Sequence, residues 1–393
     1  MSAFTALLLL GETVLLLPTA YLLFLTLVGL LYRRPAKRAQ RPRSRFAILI
    51  PAHNEEVLLP HLLRSIDAMT YPVELFDVYV VADNCTDATA NVAARHGATV
   101  FERQDSALRG KGYALQWLLD RVRDAHRTYD ALVFLDADCA VSPNFLAVMD
   151  GRLQAGCRVV QSYYAVADPA RSWVSALRSV ALVMMHHTRP KGREVLQLSC
   201  GLFGTGMVLH RSVLDVCAWN AYGLVEDVEY YLRLTERGIR VSFAPEATVL
   251  SPMPSSLKAA ESQNMRWERG RLQLAWRYGF RFLWNGLRAG APMKVDAAME
   301  QLIPPLSVTG LLGVLLLGLS IISGDRIALA LGLSINVALA GHLTIGLVAA
   351  RTPPAVYRSL VFVPWFMLWK LAIYSRAWLP GGAQWVRTQR PQS

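Results

Sequence analysis

The sequence is short of charged residues, and those present are unequally divided between the two signs. Only 18% of its 393 residues are charged and 53% are hydrophobic, while 41 Lys and Arg outnumber 29 Asp and Glu to give a net charge of +12. So high an apolar fraction excludes an intrinsically disordered chain. Five cysteines, an odd number spread through a long chain, exclude a disulfide scaffold and are expected to be small buried thiols.

Several common motifs are missing as well. The chain has no Walker loop, no Cys-x-x-Cys pair, no low-complexity tract and no Gly-x-Gly-x-x-Gly after its first predicted strand. A dinucleotide-binding domain is therefore disfavoured.

Long hydrophobic runs lie near the two ends of the chain. Residues 2–32 contain a single formally charged side chain, Glu12, and are long enough to cross a bilayer. We interpret 1–32 as a transmembrane helix rather than a signal peptide, because no basic segment precedes the run and no small-residue cleavage site follows it. Residues 301–350 hold two uncharged runs around a short polar turn and predict a transmembrane hairpin.

The basic segment at 33–45 carries seven Lys and Arg and no acid. A nucleic-acid-binding arm is one interpretation, but directly after a spanning helix a positive-inside signal explains it better. We therefore expect a multi-pass protein of the plasma membrane or bacterial inner membrane, with the central domain in the cytoplasm and no nucleic-acid partner.

Two further segments combine basic and aromatic residues. Residues 255–300 are expected to form amphipathic helices on the bilayer surface, in preference to a single-strand nucleic-acid site. In 351–393, the stretch 360–379 contains Lys370, Arg376 and three Trp, which favours an interfacial helix over a fourth span, followed by a basic tail.

Residues 46–254 alternate short β-strand patterns with helical ones, which predicts an α/β domain with a mainly parallel sheet. Strands are expected at 46–51, 78–83 and 131–138, with helices beginning near Glu55, Thr86 and Lys111. Ligands of such sheets bind beyond the carboxyl ends of the strands, and polar residues follow each predicted strand at that edge.

The pair Asp136 and Asp138 ends the third predicted strand. Two carboxylates at this position suit Mg²⁺ or Mn²⁺ shared with substrate phosphates, although many such pairs are solvated turns or helix caps. Arg109-Gly-Lys111-Gly could cradle a phosphate or be a solvated loop. Asp227 could cap a helix or act as a base.

Adjacent histidines at 186 and 187 diverge on a helix, so we do not expect them to share a metal ion and assign them a surface or acceptor-side role.

In their order, these motifs resemble the membrane-bound glycosyltransferase family 2, which includes cellulose, chitin and hyaluronan synthases and ceramide glucosyltransferase. The resemblance is carried by IPAHNEE, VADNCTD, RGKG, FLDAD, VED and QNMRW, between residues 46 and 277. It implies a GT-A-like domain and an inverting transfer of sugar from a UDP-sugar to a hydroxyl group of a lipid or glycan.

The resemblance also implies roles for individual residues. The nucleotide sugar would be bound by His53, Glu55, Asp83, Lys111, Asp136 and Arg266. Asp138 would bind the metal and Asp227 would be the general base. The acceptor would contact Gly204, Thr205, Gln263 and Trp267. The tail residues Trp385, Arg387 and Arg390 would form a lid, unless the tail is merely attracted to lipid.

Two alternatives stay open at this stage. A processive polysaccharide synthase would need a pore, which three spans could form by homo-oligomerisation. A non-catalytic nucleotide-sugar-binding scaffold would have no need of Asp227. Val225 stands where cellulose synthases carry Thr, and residues 199–206 differ from their acceptor motif. Because of this second difference, the acceptor's identity cannot be transferred from them.

Overall fold

The computed structural model describes residues 2–35, 41–124 and 127–378. Its strands, in chain order, are β1 (Phe46–Ala52), β2 (Phe76–Asp83), β3 (Thr99–Arg103), β4 (Ala131–Phe134), β5 (Ala140–Val141), β6 (Val159–Val166), β7 (Met207–His210) and β8 (Val241–Ser251).

Helices precede, interleave with and follow these strands. They are α1 (Ala3–Gly29), α2 (Leu59–Asp67), α3 (Thr89–Arg95), α4 (Lys111–Asp124), α5 (Phe145–Gln154), α6 (Trp173–Val183), α7 (Arg189–Val195), α8 (Arg211–Val216), α9 (Glu226–Glu236), α10 (Leu257–Leu274), α11 (Phe280–Arg288), α12 (Pro292–Leu302), α13 (Leu306–Ser323), α14 (Arg326–Ala349), α15 (Pro354–Arg358) and α16 (Val363–Trp378).

One eight-stranded sheet forms the centre of the molecule, in the order β3-β2-β1-β4-β7-β6-β8-β5. Pairing is parallel from β3 to β4 and between β6 and β8, whereas β7 and β5 run antiparallel to their neighbours. The predicted mainly parallel α/β sheet is confirmed. Because β1, β2 and β4 point the same way, the polar residues that follow them meet at one edge.

Strand alternation gives the sheet a buried core on each face. In β1, Ala47 and Leu49 pack with Leu115 and Leu118 of α4 on one side. Ile48 and its alternate neighbours pack with α2 on the other side. A strand buried on both faces is apolar throughout, as β1 is.

The structure corrects several predicted boundaries. β4 ends at Phe134, before the aspartate pair, because the backbone N–H of Asp136 donates to Thr205 Oγ1 (3.1 Å). Helices α2 and α3 begin a few residues later than expected. The side chains of Asn54 and Glu56 instead accept hydrogen bonds from the backbone N–H groups of Thr86 (2.7 Å) and Ala88 (2.9 Å). The edge strand β3 was not predicted.

Four helical segments of the described chain are long and apolar enough to cross a membrane. Three are α1, α13 and α14, at the places expected for the N-terminal helix and the hairpin. The fourth is Pro354–Trp378, which includes α16 and meets the same criteria despite the interfacial helix expected there. Its position in or on the bilayer stays a prediction.

Helix α1 packs directly against α7 of the central domain as well as against α13 and α14. At the crossing, a Cβ added to Gly192 would lie 2.2 Å from the backbone carbonyl oxygen of Leu25, and Gly29 faces Gly192 across the same contact. The two backbones can approach this closely only because neither glycine has a side chain.

We predict that Gly192→Ala lowers stability by about 1–3 kcal/mol, because the backbones must separate to admit one methyl group. Gly151→Ala is the matched control, since Gly151 also lies in a helix and its added Cβ meets nothing within 4 Å. That variant should be neutral or more stable by up to about 1 kcal/mol. Thermal unfolding of the detergent-solubilised variants measures both effects, and equal melting temperatures would contradict the close crossing.

Candidate active site

A cavity of about 990 Å³ opens at the carboxyl edge of the sheet and extends to the apolar helices. Its lining includes nearly all of the residues singled out from the sequence: His53, Glu55, Asp83, Lys111, Asp136, Asp138, Gly204, Asp227, Gln263, Arg266 and Trp267. Residues distant in sequence, from three strand ends, three helices and the turn at Gly204, therefore share one space.

The loops after β1 and β2 form one end of the cavity. His53 Nδ1 donates to the backbone carbonyl of Asp83 (2.7 Å), so these two predicted site residues are held together directly. Asn54 and Asn84 take the left-handed conformation with φ of 54° and 51°, which turns both loops sharply across the strand ends.

Arg103, at the end of β3, was not predicted from the sequence. Its Nη1 lies 2.5 Å from Asp83 Oδ1, and the guanidinium also donates to Asp105 (3.0 Å) and to the carbonyl of Leu108 (2.7 Å). The short run of β-branched and aromatic residues after Gly97 was the missed signal, because a strand there brings Arg103 into register beside Asp83.

Lys111 is the central cation of the site. It opens α4, and its Nζ lies 2.6 Å from Asp136 Oδ1, 3.3 Å from Glu226 Oε1 and 2.6 Å from the carbonyl oxygen of Gly204. Burial alone lowers the pKa of Lys111, but the charges of Asp136 and Glu226 outweigh it and the net pKa is raised. The ammonium group therefore stays charged and holds these acids together.

Asp227 lies in the first turn of α9, beside Glu226. Burial raises its pKa to about 7, the charge of Glu226 adds to this rise, and Lys111 opposes it. A carboxyl group that titrates near neutrality suits proton transfer better than one with an ordinary pKa.

Gly204 and Thr205 have different positions relative to the cavity. Gly204 has φ of +79°, and an added Cβ would lie 3.3 Å from Asp227 Oδ2 and 3.4 Å from Lys111 Nζ. Thr205 is fully buried behind the turn that carries Asp136 and contacts that turn's backbone. Only Gly204 of the pair is placed to meet a ligand.

The far wall is built by α10, which carries Gln263, Arg266 and Trp267. Gln263 Oε1 accepts a hydrogen bond from Nη2 of Arg178 on α6, and the Arg178 guanidinium carbon lies 5.1 Å from the centre of the Trp267 ring. Arg178 was another residue that sequence reasoning missed, since no local motif marks it.

The adjacent histidines lie in a π-helical segment, Met184–Thr188, between α6 and α7. His186 lines the cavity and stacks between Tyr164 (5.2 Å) and Phe203 (4.2 Å), and burial lowers its pKa to about 4. His187 is buried against Tyr163. The surface role considered for the pair is therefore wrong, and His186 is an uncharged wall of the cavity.

No group of three or more His, Cys, Asp or Glu side chains that could hold a metal ion occurs in residues 2–35, 41–124 and 127–378. The predicted lid residues Trp385, Arg387 and Arg390 lie outside the described residues. All five cysteines are free thiols, and Cys139, Cys200 and Cys217 are buried as expected.

Sequence comparison associates the chain with one family. The profile described as glycosyltransferase like family 2 matches residues 42–270. The beta-monoglucosyldiacylglycerol synthase of Nostoc sp. is 24% identical over 389 residues, covering 92% of this chain and 80% of that protein. The probable glycosyltransferase YdaM of Bacillus subtilis is 26% identical over 236 residues, and the match spans 57% of this chain and about half, 54%, of YdaM.

Structural comparison agrees over nearly the full length. The mannosyltransferase PcManGT from Pyrobaculum calidifontis, solved in complex with GDP-Man and Mn²⁺, superposes with a TM-score of 0.54 at 17% identity. The superposition covers 95% of this chain and 97% of that one. At this identity, the likeness establishes a shared GT-A-like fold.

We predict that Arg103→Met destabilises the protein by about 3–5 kcal/mol, because it leaves Asp83 without its buried cation. Asp83 and Arg103 side chains are only 10% and 4% exposed. Arg127→Met is the matched control, since Arg127 pairs with Asp77 but is 59% exposed, and its loss should cost about 0–1 kcal/mol. Thermal unfolding of both variants provides the test, and similar losses would show that the Asp83 pair is no more important than a surface pair.

Proposed function

The chain belongs to glycosyltransferase family 2, and within this family we propose that it is a membrane-bound enzyme transferring a sugar from a UDP-sugar to a hydroxyl group of a lipid. The observation that carries the proposal is the continuity of the cavity. One end is lined by the acids and Lys111, and the other by apolar side chains of α13, α14 and α16, including Leu306, Leu343 and Phe366. A polar donor and an apolar acceptor would meet between them.

In the proposed reaction, His53, Glu55 and Asp83 hold the uridine, while Lys111, Asp136 and Arg266 act at the diphosphate. Asp227 takes the proton of the acceptor hydroxyl as its oxygen bonds to the anomeric carbon. The bond from that carbon to the phosphate oxygen breaks in the same displacement, which inverts the anomeric centre and releases UDP. Lys111 and Arg266 stabilise the charge that develops on the departing diphosphate.

A divalent cation, Mg²⁺ or Mn²⁺, fits this donor set. Such ions prefer hard oxygen ligands and are commonly held by one or two carboxylates together with substrate phosphates. Asp138 lines the cavity and would supply the carboxylate, whereas Asp136 is engaged by Lys111. When bound, the cation would neutralise the diphosphate as a Lewis acid.

A lipid acceptor is favoured over a growing polymer by the walls of the cavity. Its far end is apolar and lies among helices able to cross a membrane, where an acyl or isoprenoid chain would be soluble and a polysaccharide would not. The similarity to a beta-monoglucosyldiacylglycerol synthase points the same way. Incubating the purified protein in lipid bilayers with several UDP-sugars and Mn²⁺, followed by mass analysis, tests this choice. A polymeric product without glycolipid would overturn it.

We predict that Asp227→Asn retains donor binding but lowers transfer by about 100-fold or more, because the amide keeps the shape and cannot accept a proton. In the wild type, the base works deprotonated, so kcat/KM should fall as pH decreases through about 7, the raised pKa of Asp227.

The control for this variant is Asp215→Asn, which changes an exposed carboxylate on α8. It should transfer at the wild-type rate with an unchanged pH profile. Near-normal transfer by Asp227→Asn would show that another group is the base.

We also predict that Asp138→Ala weakens the dependence of UDP binding on Mn²⁺, because one hard oxygen ligand is lost. Isothermal titration of UDP with and without Mn²⁺ measures this directly, without turnover. Asp168→Ala, at an exposed turn, should behave as the wild type. Wild-type UDP affinity that is already insensitive to a chelator would contradict the metal site.

A further inference from the structure

Arg178 is a buried cation on the wall of the cavity. It lies on α6, is 3% exposed, and was used neither in donor binding nor in proton transfer above. Its Nη2 donates to Gln263 Oε1 and to Met253 Sδ (3.6 Å), and neither partner carries a charge. Its Nε is buried without a hydrogen-bond partner.

The other buried cations near this end of the cavity are each paired with an acid. Arg193 lies 3.0 Å from Asp296, and Lys370 lies 2.7 Å from Glu268. Arg189 is paired with Glu300 at 3.0 Å. Within the described residues, no carboxylate is within 4 Å of the Arg178 guanidinium.

Leaving one guanidinium uncompensated is costly. Burial lowers the pKa of Arg178 to about 10, which expresses the loss of solvation that no carboxylate offsets. A buried unpaired charge destabilises a protein by several kcal/mol unless something binds it. The neighbouring cations are paired with carboxylates of the chain itself. Because Arg178 has no such carboxylate, we expect its anionic partner to be a ligand.

The surroundings of Arg178 indicate what kind of ligand this is. The preceding residue, Leu177, packs in an apolar cluster with Leu347 of α14, against Leu306 of α13 and Val363 of α16. Arg178 itself lines the same cavity as Leu306 and Val363. On its other side, Gln263 and Trp267 fix its orientation.

We infer that the acceptor is an anionic lipid, whose phosphate or carboxylate group binds Arg178 while its chain lies among α13, α14 and α16. The inference deepens the proposed function and rests on it. A guanidinium donates two parallel hydrogen bonds to either oxyanion, a geometry that a lysine does not reproduce. The donor diphosphate has its own cations in Lys111 and Arg266, so Arg178 is left for the acceptor.

The test compares three lipids that carry a hydroxyl group or groups but differ in charge. Dioleoylglycerol is neutral, dioleoylphosphatidylglycerol carries a phosphodiester, and ricinoleic acid carries a carboxylate. The full chain in neutral nanodiscs is given equimolar mixtures, and the retained lipid is identified by native mass spectrometry. The KM for each lipid and for the UDP-sugar is measured separately.

We expect the wild type to retain one of the anionic lipids over dioleoylglycerol by about tenfold or more, the gain typical of charge-assisted hydrogen bonds. Arg178→Gln should abolish this preference and raise KM for the anionic lipid, leaving KM for the UDP-sugar unchanged. Arg178→Lys should retain part of the preference for the anionic lipid. Whichever anionic lipid is preferred identifies the oxyanion as phosphate or carboxylate.

Arg277→Gln is the matched control, because it removes the same charge from a 63% exposed position in the region between α10 and α11. It should leave the preference intact, whereas an equal loss would mean that anionic lipid is merely attracted to the surface and would overturn the inference. Equal retention of neutral and anionic lipid by the wild type would overturn it too. If Arg178→Gln lowers only the affinity for the UDP-sugar, Arg178 binds the donor, and the inference is overturned as well.

Failure of the proposed function gives a different pattern. Transfer to dioleoylglycerol without charge preference would leave lipid glycosylation standing and reject only the role of Arg178. Transfer to a soluble glycan and to none of the lipids would reject the proposed function, while lipid retention would still decide what Arg178 binds.

Discussion

Three carboxylates converge on one ammonium group at the edge of the sheet, and the site depends on their balance. Lys111 contacts Asp136 and Glu226 directly and acts electrostatically on Asp227. Without it, neighbouring acids in a buried site would protonate or move apart. With it, Asp136 and Glu226 each have a cationic partner, while burial raises the pKa of Asp227 to about 7. Burial, which Lys111 opposes only in part, therefore distinguishes Asp227 from an ordinary carboxyl group.

A second constraint joins this site to the apolar helices. Arg193 of α7 is paired with Asp296 and Glu300 of α12, and Tyr21 of α1 donates to the same Asp296. The pKa of Glu300 falls to about 2, because the cations of Arg193 and Arg189 outweigh the effect of its burial. Together with the glycine crossing of α1 and α7, these contacts fix the cavity's position relative to the apolar helix α1.

Whether a feature of the fold or the site could be predicted from the sequence depends on how far apart along the chain the interacting residues lie. Runs such as 46–51 and 2–32 reveal strands and helices that are long and apolar enough to span a membrane, because burial imposes a local periodicity and a bilayer imposes a minimum length. The motifs around Asp83, Asp136 and Asp227 could be assigned to one site through their resemblance to a family. The shared cavity bears out their proximity.

The residues that were missed depend on pairings between distant segments. Arg103 matters because β3 is in register with β2, and Arg178 matters because α6 lies against α10. The contact between α6 and α10 leaves no trace in the nearby sequence, and the short run after Gly97 does not reveal which strand β3 pairs with. The early end of β4 is similar, since it follows from a hydrogen bond to Thr205, which is 69 residues from Asp136. Charge partners and strand ends set by tertiary contacts therefore need the structure.

The two ends of the cavity differ in charge, and this difference bears on how an acceptor would be oriented. The donor end is rich in acids and compensates them with Lys111, which leaves room for a further cation that accompanies a diphosphate. The opposite end is rich in cations. Within the described chain, its deeply buried cations are paired with acids, with the exception of Arg178. An anionic group on the acceptor would be repelled by the first end and attracted to the second. Its chain would then extend towards α13, α14 and α16, and its hydroxyl would be directed back to Asp227. Charge would orient the acceptor in a cavity whose apolar walls discriminate little between the two ends of a lipid.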